Sequence, residues 1–300
     1  MTLVLFVAVY AALLVFLAAC AARIRMYARA PMHLRWELYP IPGETSGGDA
    51  ASRTRRSRLI AELRFIVPEV LFLKGLRQHN RRLWRRSFPF HFGLYLLSVT
   101  VVLLAVGAAL GRLAPGLRIG PPVRIIYWMT SLSGTIGLTS ALAGAVGLLE
   151  RRWRDSGLRA ISTPADFFNL VFFLLAFGAL AAGCLLRAPS DPGIREIAAG
   201  LVAFDTALRI PGVLAIGLLL CSCLCAYIPM THMAHFIGKY FTYHAVLWDD
   251  APGGRGGRIE ARVAEQLTFR PTWAAPHISG GGARTWAEIA SERPQTEGKP

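Results

Sequence analysis

Acidic residues are scarce in this chain: 18 Asp and Glu stand against 33 Lys and Arg in 300 residues, a net charge of +15. Five long stretches hold no charged residue at all, namely residues 2–22, 88–111, 125–149, 167–186 and 211–236. Each is long enough to carry a helix, rising about 1.5 Å per residue, across the roughly 30 Å hydrocarbon core of a bilayer. The alternating ten-residue pattern of an outer-membrane barrel is missing, and unpaired amides are not tolerated in lipid, so each stretch must close its hydrogen bonds as α-helix. Cysteine is sparse as well. Cys20, Cys184, Cys221, Cys223 and Cys225 form neither a disulfide framework nor a zinc site, and they read as small apolar packing residues. No nucleophile, base and acid arrangement suggests a hydrolase. The spans carry no Asp, Glu, Lys or Arg and the chain has no internal repeat, which disfavours a small-molecule transporter.

What remains is an all-α fold: an integral membrane five-helix bundle. The basic excess is distributed by segment, with 15 Lys and Arg between residues 23 and 87, 4 between 150 and 166 and 8 after 236, against 3 in each of the other two loops. By the positive-inside bias the N-terminus lies outside and the C-terminus in the cytoplasm, as in a multi-pass protein of the cell inner membrane. The charge is therefore topological, and no nucleic-acid partner is expected. Leu17-Ala18-Ala19-Cys20 reads like a lipoprotein cleavage box, but Arg23, Arg25 and Arg29 follow the first run and no cation precedes it, the reverse of a signal peptide. The organisation expected is a first span (1–22), a basic cytoplasmic loop (23–87), a four-helix membrane core (88–236) and a cytoplasmic tail (237–300).

In the basic loop, residues 43–58 are rich in Gly, Ser and Arg and read as a flexible linker. Leu59, Leu63, Ile66, Val70 and Leu73 then step by three or four, predicting an amphipathic helix bent near Pro68 that lies in the membrane interface or packs on a partner protein. The tail from Lys239 is polar, lacks the apolar mass for a core of its own and reads as a docking arm or a disordered segment. Neither of its glycine clusters, 253–257 and 280–282, opens a helix after a strand, so neither is a phosphate cradle.

Seven histidines are present, and the spans sort them. Ser87-Phe88-Pro89 reads as a cap and helix start that puts His91 one turn inside the second span. The second span runs outward and the fifth inward, so His91 meets His232 or His235, an i, i+3 pair, at the cytoplasmic boundary. Two neutral imidazoles from different helices suit the axial positions of a b-type haem, which needs no covalent cysteine motif. Arg82, Arg85, Arg86 and Lys239 lie near the same boundary, where they can pair with haem propionates. The alternative is that these histidines merely snorkel to water.

In this order and spacing the chain resembles the gamma subunit of respiratory nitrate reductase and its relatives, the membrane cytochrome b subunits of sulfite-reduction and heterodisulfide-reductase-like complexes. The similar stretch is residues 88–236. It rests on His91, the basic hairpin from Glu150 to Arg154, the run Arg159-Ala160-Ile161-Ser162-Thr163-Pro164-Ala165-Asp166, and Pro229 followed six residues later by His235. Within that run, Thr163, Pro164 and Asp166 also read directly as N-cap, N1 and N3 of a helix. Arg35-Trp36-Glu37-Leu38-Tyr39-Pro40 and Ser87-Phe88-Pro89-Phe90-His91 look more like the sulfur-metabolism relatives.

The resemblance implies a quinol-oxidising haem protein that hands electrons to a cytoplasmic iron-sulfur or catalytic subunit, with His91 and His235 matching the ligands of the haem nearer the cytoplasm. The family's second haem uses histidines about three helical turns deeper in span two and about five turns earlier in span five. Here those positions are Val101 and Gly217, so one haem b is expected unless His33, His79 or His232 completes a second site. The expected role is an electron-transfer subunit rather than a stand-alone enzyme, with quinone, membrane lipid and the soluble subunit as partners. Electron flow in either direction fits. His33, Trp36, Glu37 and Tyr39 are candidates for a quinone pocket, or simply an interfacial aromatic belt. A haem-free membrane anchor for a soluble complex is the competing reading.

Overall fold

The structure is a computed structural model that describes residues 1–29, 55–113, 120–247, 258–274 and 280–292. Among these residues all regular structure is helical. Five helices are long and apolar enough to cross a membrane: α1 (Thr2–Arg29), α4 (Arg81–Leu113), α5 (Pro121–Arg154), α7 (Pro164–Leu186) and α9 (Gly212–Tyr227), the last extended by a 3₁₀ turn at Ile228–Met230. The chain is thus a multi-pass all-α membrane protein. Shorter helices are α2 (Arg55–Phe72), α3 (Lys74–His79), α6 (Ser156–Ile161), α8 (Ile194–Ala203), α10 (His235–Leu247), α11 (Arg258–Leu267) and α12 (Trp286–Ala290). Two compact units result: Met1–Ala19 with Leu63–Met233, and Cys20–Glu62 with Ala234–Pro300.

In the first unit the membrane helices approach one another through small residues, because lipid offers no hydrophobic drive and only close packing holds helices together. A Cβ on Gly93 would lie 2.4 Å from the Ala141 backbone nitrogen, and one on Gly144 would lie 2.3 Å from that of Phe90, so α4 and α5 touch backbone to backbone. The Thr100 and Ser133 hydroxyls hydrogen-bond across this seam at 2.8 Å. The α7/α9 seam is built alike, through Gly183 and Gly217. One apolar cluster joins Phe90 of α4, Ala141 and Ala145 of α5, Phe173, Ala176 and Phe177 of α7, and Leu224 of α9. A second packs Leu5 and Phe6 of α1 against Ile197 of α8 and Leu214 of α9. Outward residues such as Leu14, Val101 and Leu175 are exposed and apolar, the surface that acyl chains cover.

Helix α8 was not legible in the sequence, where the loop after residue 186 carried only its arginines. The amphipathic helix around residues 59–73 is present as α2, with Pro68 inside it. Its last turn docks on the chain itself: Tyr95 donates its hydroxyl to the Val70 carbonyl at 2.8 Å, and the Trp84 indole donates to the Phe72 carbonyl at 2.8 Å. Leu73 then turns the chain through the left-handed region (φ 50°) into α3. Of the linker expected over 43–58, residues 43–54 lie outside the described residues and 55–58 are helical.

In the second unit, Tyr27 at the end of α1 stacks on Phe241 of α10, with ring centroids 5.7 Å apart. The tail, read from sequence as a docking arm or a disordered segment, has local order among its described residues. Trp273 and Trp286 meet edge to face at 5.9 Å, the Trp286 amide donates to the Phe269 carbonyl, and α12 begins with a capping box of Thr285 and Glu288. Aromatic side chains a dozen residues apart supply the apolar surface that composition alone did not reveal. Hydrogen bonds from the Thr285 amide and hydroxyl hold the Glu288 carboxyl below its ordinary value of 4.5. A lowered acid stabilises only while ionised, so the cap is intact at neutral pH and is lost as pH falls through that depressed value. The Thr285 amide resonance, followed by NMR through an acid titration, should shift in that range, and in Glu288→Gln it should not.

Candidate functional site

The arginines at the start of α4, the end of α5 and the loop before α7 gather at one end of the first unit's helices, where His91 and His232 also lie. Asn80, not Ser87, starts α4: its side-chain oxygen accepts the Leu83 amide at 3.0 Å and its carbonyl accepts the Trp84 amide. The Ser87-Phe88-Pro89 start is therefore corrected, with His91 three turns inside a helix that passes through Pro89. An earlier asparagine cap and a turn of arginines outcompete the serine, and Pro89 merely deprives the Arg85 carbonyl of one amide.

The new position gives His91 a defined tautomer. Its Nδ1 lies 2.8 Å from the Ser87 carbonyl oxygen and 3.2 Å from the Ser87 hydroxyl. A carbonyl can only accept, so Nδ1 carries the proton and the lone pair of the neutral ring is on Nε2. Backbone carbonyl to Nδ1–H, with Nε2 as donor atom, is the arrangement that orients metal-ligating histidines. Ser87 is buried, and Phe90, next to His91, is pinned between Gly144 and Phe173, so the turn bearing the imidazole is held on two sides.

The fifth span differs from the expected continuous helix to residue 236. Pro229 lacks an amide and crowds the carbonyl four residues earlier, and α9 gives way there to the turns Ile228–Met230 and His232–Ala234. His232 and His235 are consequently not an i, i+3 pair on one helix. His232 turns to α7, where its Nε2 lies 3.3 Å from the Asn169 amide nitrogen and 3.8 Å from Asp166. Asn169 also accepts the Tyr227 hydroxyl at 2.9 Å, and Asp166 lies 3.5 Å from Arg152. His235 begins α10 and belongs to the second unit.

This Tyr227, Asn169, His232 and Asp166 network was missed by spacing arguments. Its signal was present: Asn169 is the only amide side chain in the five charge-free runs, and it is buried. The predicted Thr163–Asp166 cap is found, with the Asp166 carboxylate accepting from both the amide and the hydroxyl of Thr163 at 2.9 Å.

Arg85 and Arg86 precede His91 by six and five residues, offsets that do not share its helix face. Arg86 lies 4.0 Å from Glu150 of α5, and Arg85 lines a cavity with Arg77, Arg81 and Trp84. Val101 faces outward, 65% exposed, whereas Gly217 packs so closely that a Cβ would lie 2.6 Å from Leu180 backbone atoms. His79 is exposed at the end of α3. The quinone-pocket candidates His33, Trp36, Glu37 and Tyr39 lie outside the described residues. Among the described residues no group of three or more His, Cys, Asp or Glu is placed to hold a metal ion, and Cys221 packs its thiol on the Ala176 carbonyl. Set against protein-family models, curated proteins and solved structures, the chain matches none of them.

Proposed function

We propose that this chain is a membrane cytochrome b subunit that relays electrons between the quinone pool and a cytoplasmic iron-sulfur or catalytic partner, with its N-terminus outside and its tail in the cytoplasm. The observation that carries the reading is His91: an imidazole three turns inside a membrane helix, at the basic end of the bundle, with Nδ1–H held by the Ser87 carbonyl and the ligating lone pair on Nε2. A ring held this way could serve as a ligand to a haem b. By sequence assignment His235 would be the second ligand, while the Nε2 of His232 lies against Asn169. A bound haem b supplies one-electron chemistry, which the side chains here do not. One haem per chain is supported at the two positions a second would need, since Val101 faces outward and Gly217 has no room for a side chain.

The chain's own residues contribute orientation and charge. Ser87 and Phe90 fix the His91 ring, and the arginines raise the potential at that end, which favours acceptance of an electron. His232 is exposed beside Asp166. The test is spectroscopic. Chain purified from membranes should give b-type bands in a reduced-minus-oxidised spectrum, about one haem b by pyridine haemochrome, and reduction by a quinol analogue. Purified chain without visible absorbance would end this reading in favour of a haem-free anchor.

A further inference from the structure

Three arginines on the α3 and α4 side of the basic end face one small space. Arg77, Arg81, Arg85 and Trp84 line a cavity of about 370 Å³, and an adjoining groove of about 560 Å³ adds Phe72 and Lys74 to the shared Arg77 and Arg81. Among the described residues no carboxylate pairs with Arg77, Arg81 or Arg85, and the nearby Glu69 accepts the Gly75 amide at 2.7 Å. Gathering like charges costs energy unless an anion joins them, and guanidinium groups match phosphate oxygens in geometry. Trp84 is fixed in this array, its indole bonded to the Phe72 carbonyl and its ring 5.5 Å from the Arg77 guanidinium.

Directly below the cations runs an aromatic ladder. Trp84 stacks on Phe88 at 5.0 Å and Phe88 on Phe92 at 5.5 Å, descending α4 into its charge-free stretch. A free anion would use the arginines and leave the ladder idle, whereas a neutral quinone would have no need of three guanidinium groups. We propose that this cavity and ladder form a binding site for one anionic phospholipid, its phosphate among Arg77, Arg81 and Arg85 and an acyl chain along Trp84, Phe88 and Phe92. The site depends only on α4 crossing the membrane, not on the haem. It lies at headgroup depth, where basic pockets between membrane helices select anionic lipids.

The full-length chain in maltoside detergent, titrated in native mass spectrometry with dioleoylphosphatidylglycerol, dioleoylphosphatidylcholine and inorganic phosphate, tests it. The first phosphatidylglycerol should bind at least about tenfold more tightly than phosphatidylcholine, and each arginine removed should cost about fivefold. The pair Arg77→Gln, Arg81→Gln should therefore erase the preference, the charge-keeping pair Arg77→Lys, Arg81→Lys should retain most of it, and Phe88→Ala should weaken both lipids. Equal binding of the two lipids by the natural chain, or an undiminished preference in the glutamine pair, would overturn the site. Displacement of phosphatidylglycerol by millimolar phosphate, or Phe88→Ala without effect, would overturn the lipid as its occupant.

Discussion

His91→Ala purified from membranes should carry no b-type haem, whereas His232→Ala should keep it. A haem held by two imidazoles would be lost with either one, and His91 has its tautomer oriented by Nδ1 bonded to Ser87. His232 is turned to Asn169, so its loss should disturb the Tyr227 network and, under the proposed function, leave haem content unchanged. Two further variants separate ligation from packing. Ser87→Ala keeps the backbone carbonyl at 2.8 Å and loses only the hydroxyl at 3.2 Å, so haem content should fall by less than about tenfold. His91→Met leaves a sulfur ligand, which should retain some haem at a raised potential. A spectrum unaltered in His91→Ala would move the iron to other histidines. Haem retained by His235→Ala but lost in His232→Ala would exchange their roles.

The spans were legible because lipid enforces a simple rule, and a run without charge of sufficient length leaves the chain no other option. Their ends were less so. Ser87-Phe88-Pro89 has the composition of a helix start, yet Asn80 caps the helix two turns earlier, and local signals cannot rank two plausible caps. Thr163-Pro164-Ala165-Asp166 was read correctly because cap, proline and acid agree within four residues. The break at Pro229 decides where His232 points, and the apolar run that continues past it hides that break in the sequence. Asn169 and Tyr227 lie 58 residues apart in the chain, and only the seam between α7 and α9 brings them together. A polar residue alone in a charge-free run is the clue that spacing arguments pass over.

Gly144→Ala should be the most destabilising single-methyl substitution in the core, costing about 3 kcal/mol or more. Its Cβ would lie 2.3 Å from the Phe90 nitrogen and 2.6 Å from the Phe90 Cα, and these are main-chain atoms of a helix, not the tip of a flexible side chain. Relief requires α4 to move away from α5, which also pulls Gly93 from Ala141 and strains the Thr100–Ser133 hydrogen bond. Gly178→Ala is the matched control, since nothing lies within 4 Å of its added methyl, and it should be neutral or stabilising by up to about 1 kcal/mol. Thermal unfolding of the two variants in the same detergent gives the comparison. The first also has a spectroscopic reading under the proposed function, because Phe90 is the neighbour of His91 and is held against Phe173 at 4.9 Å. Moving α4 shifts the imidazole with it, so Gly144→Ala should lose haem at temperatures where Gly178→Ala retains it. Equal melting of the pair would mean that α4 and α5 do not meet backbone to backbone, and the rigid placement of His91 would lose its support.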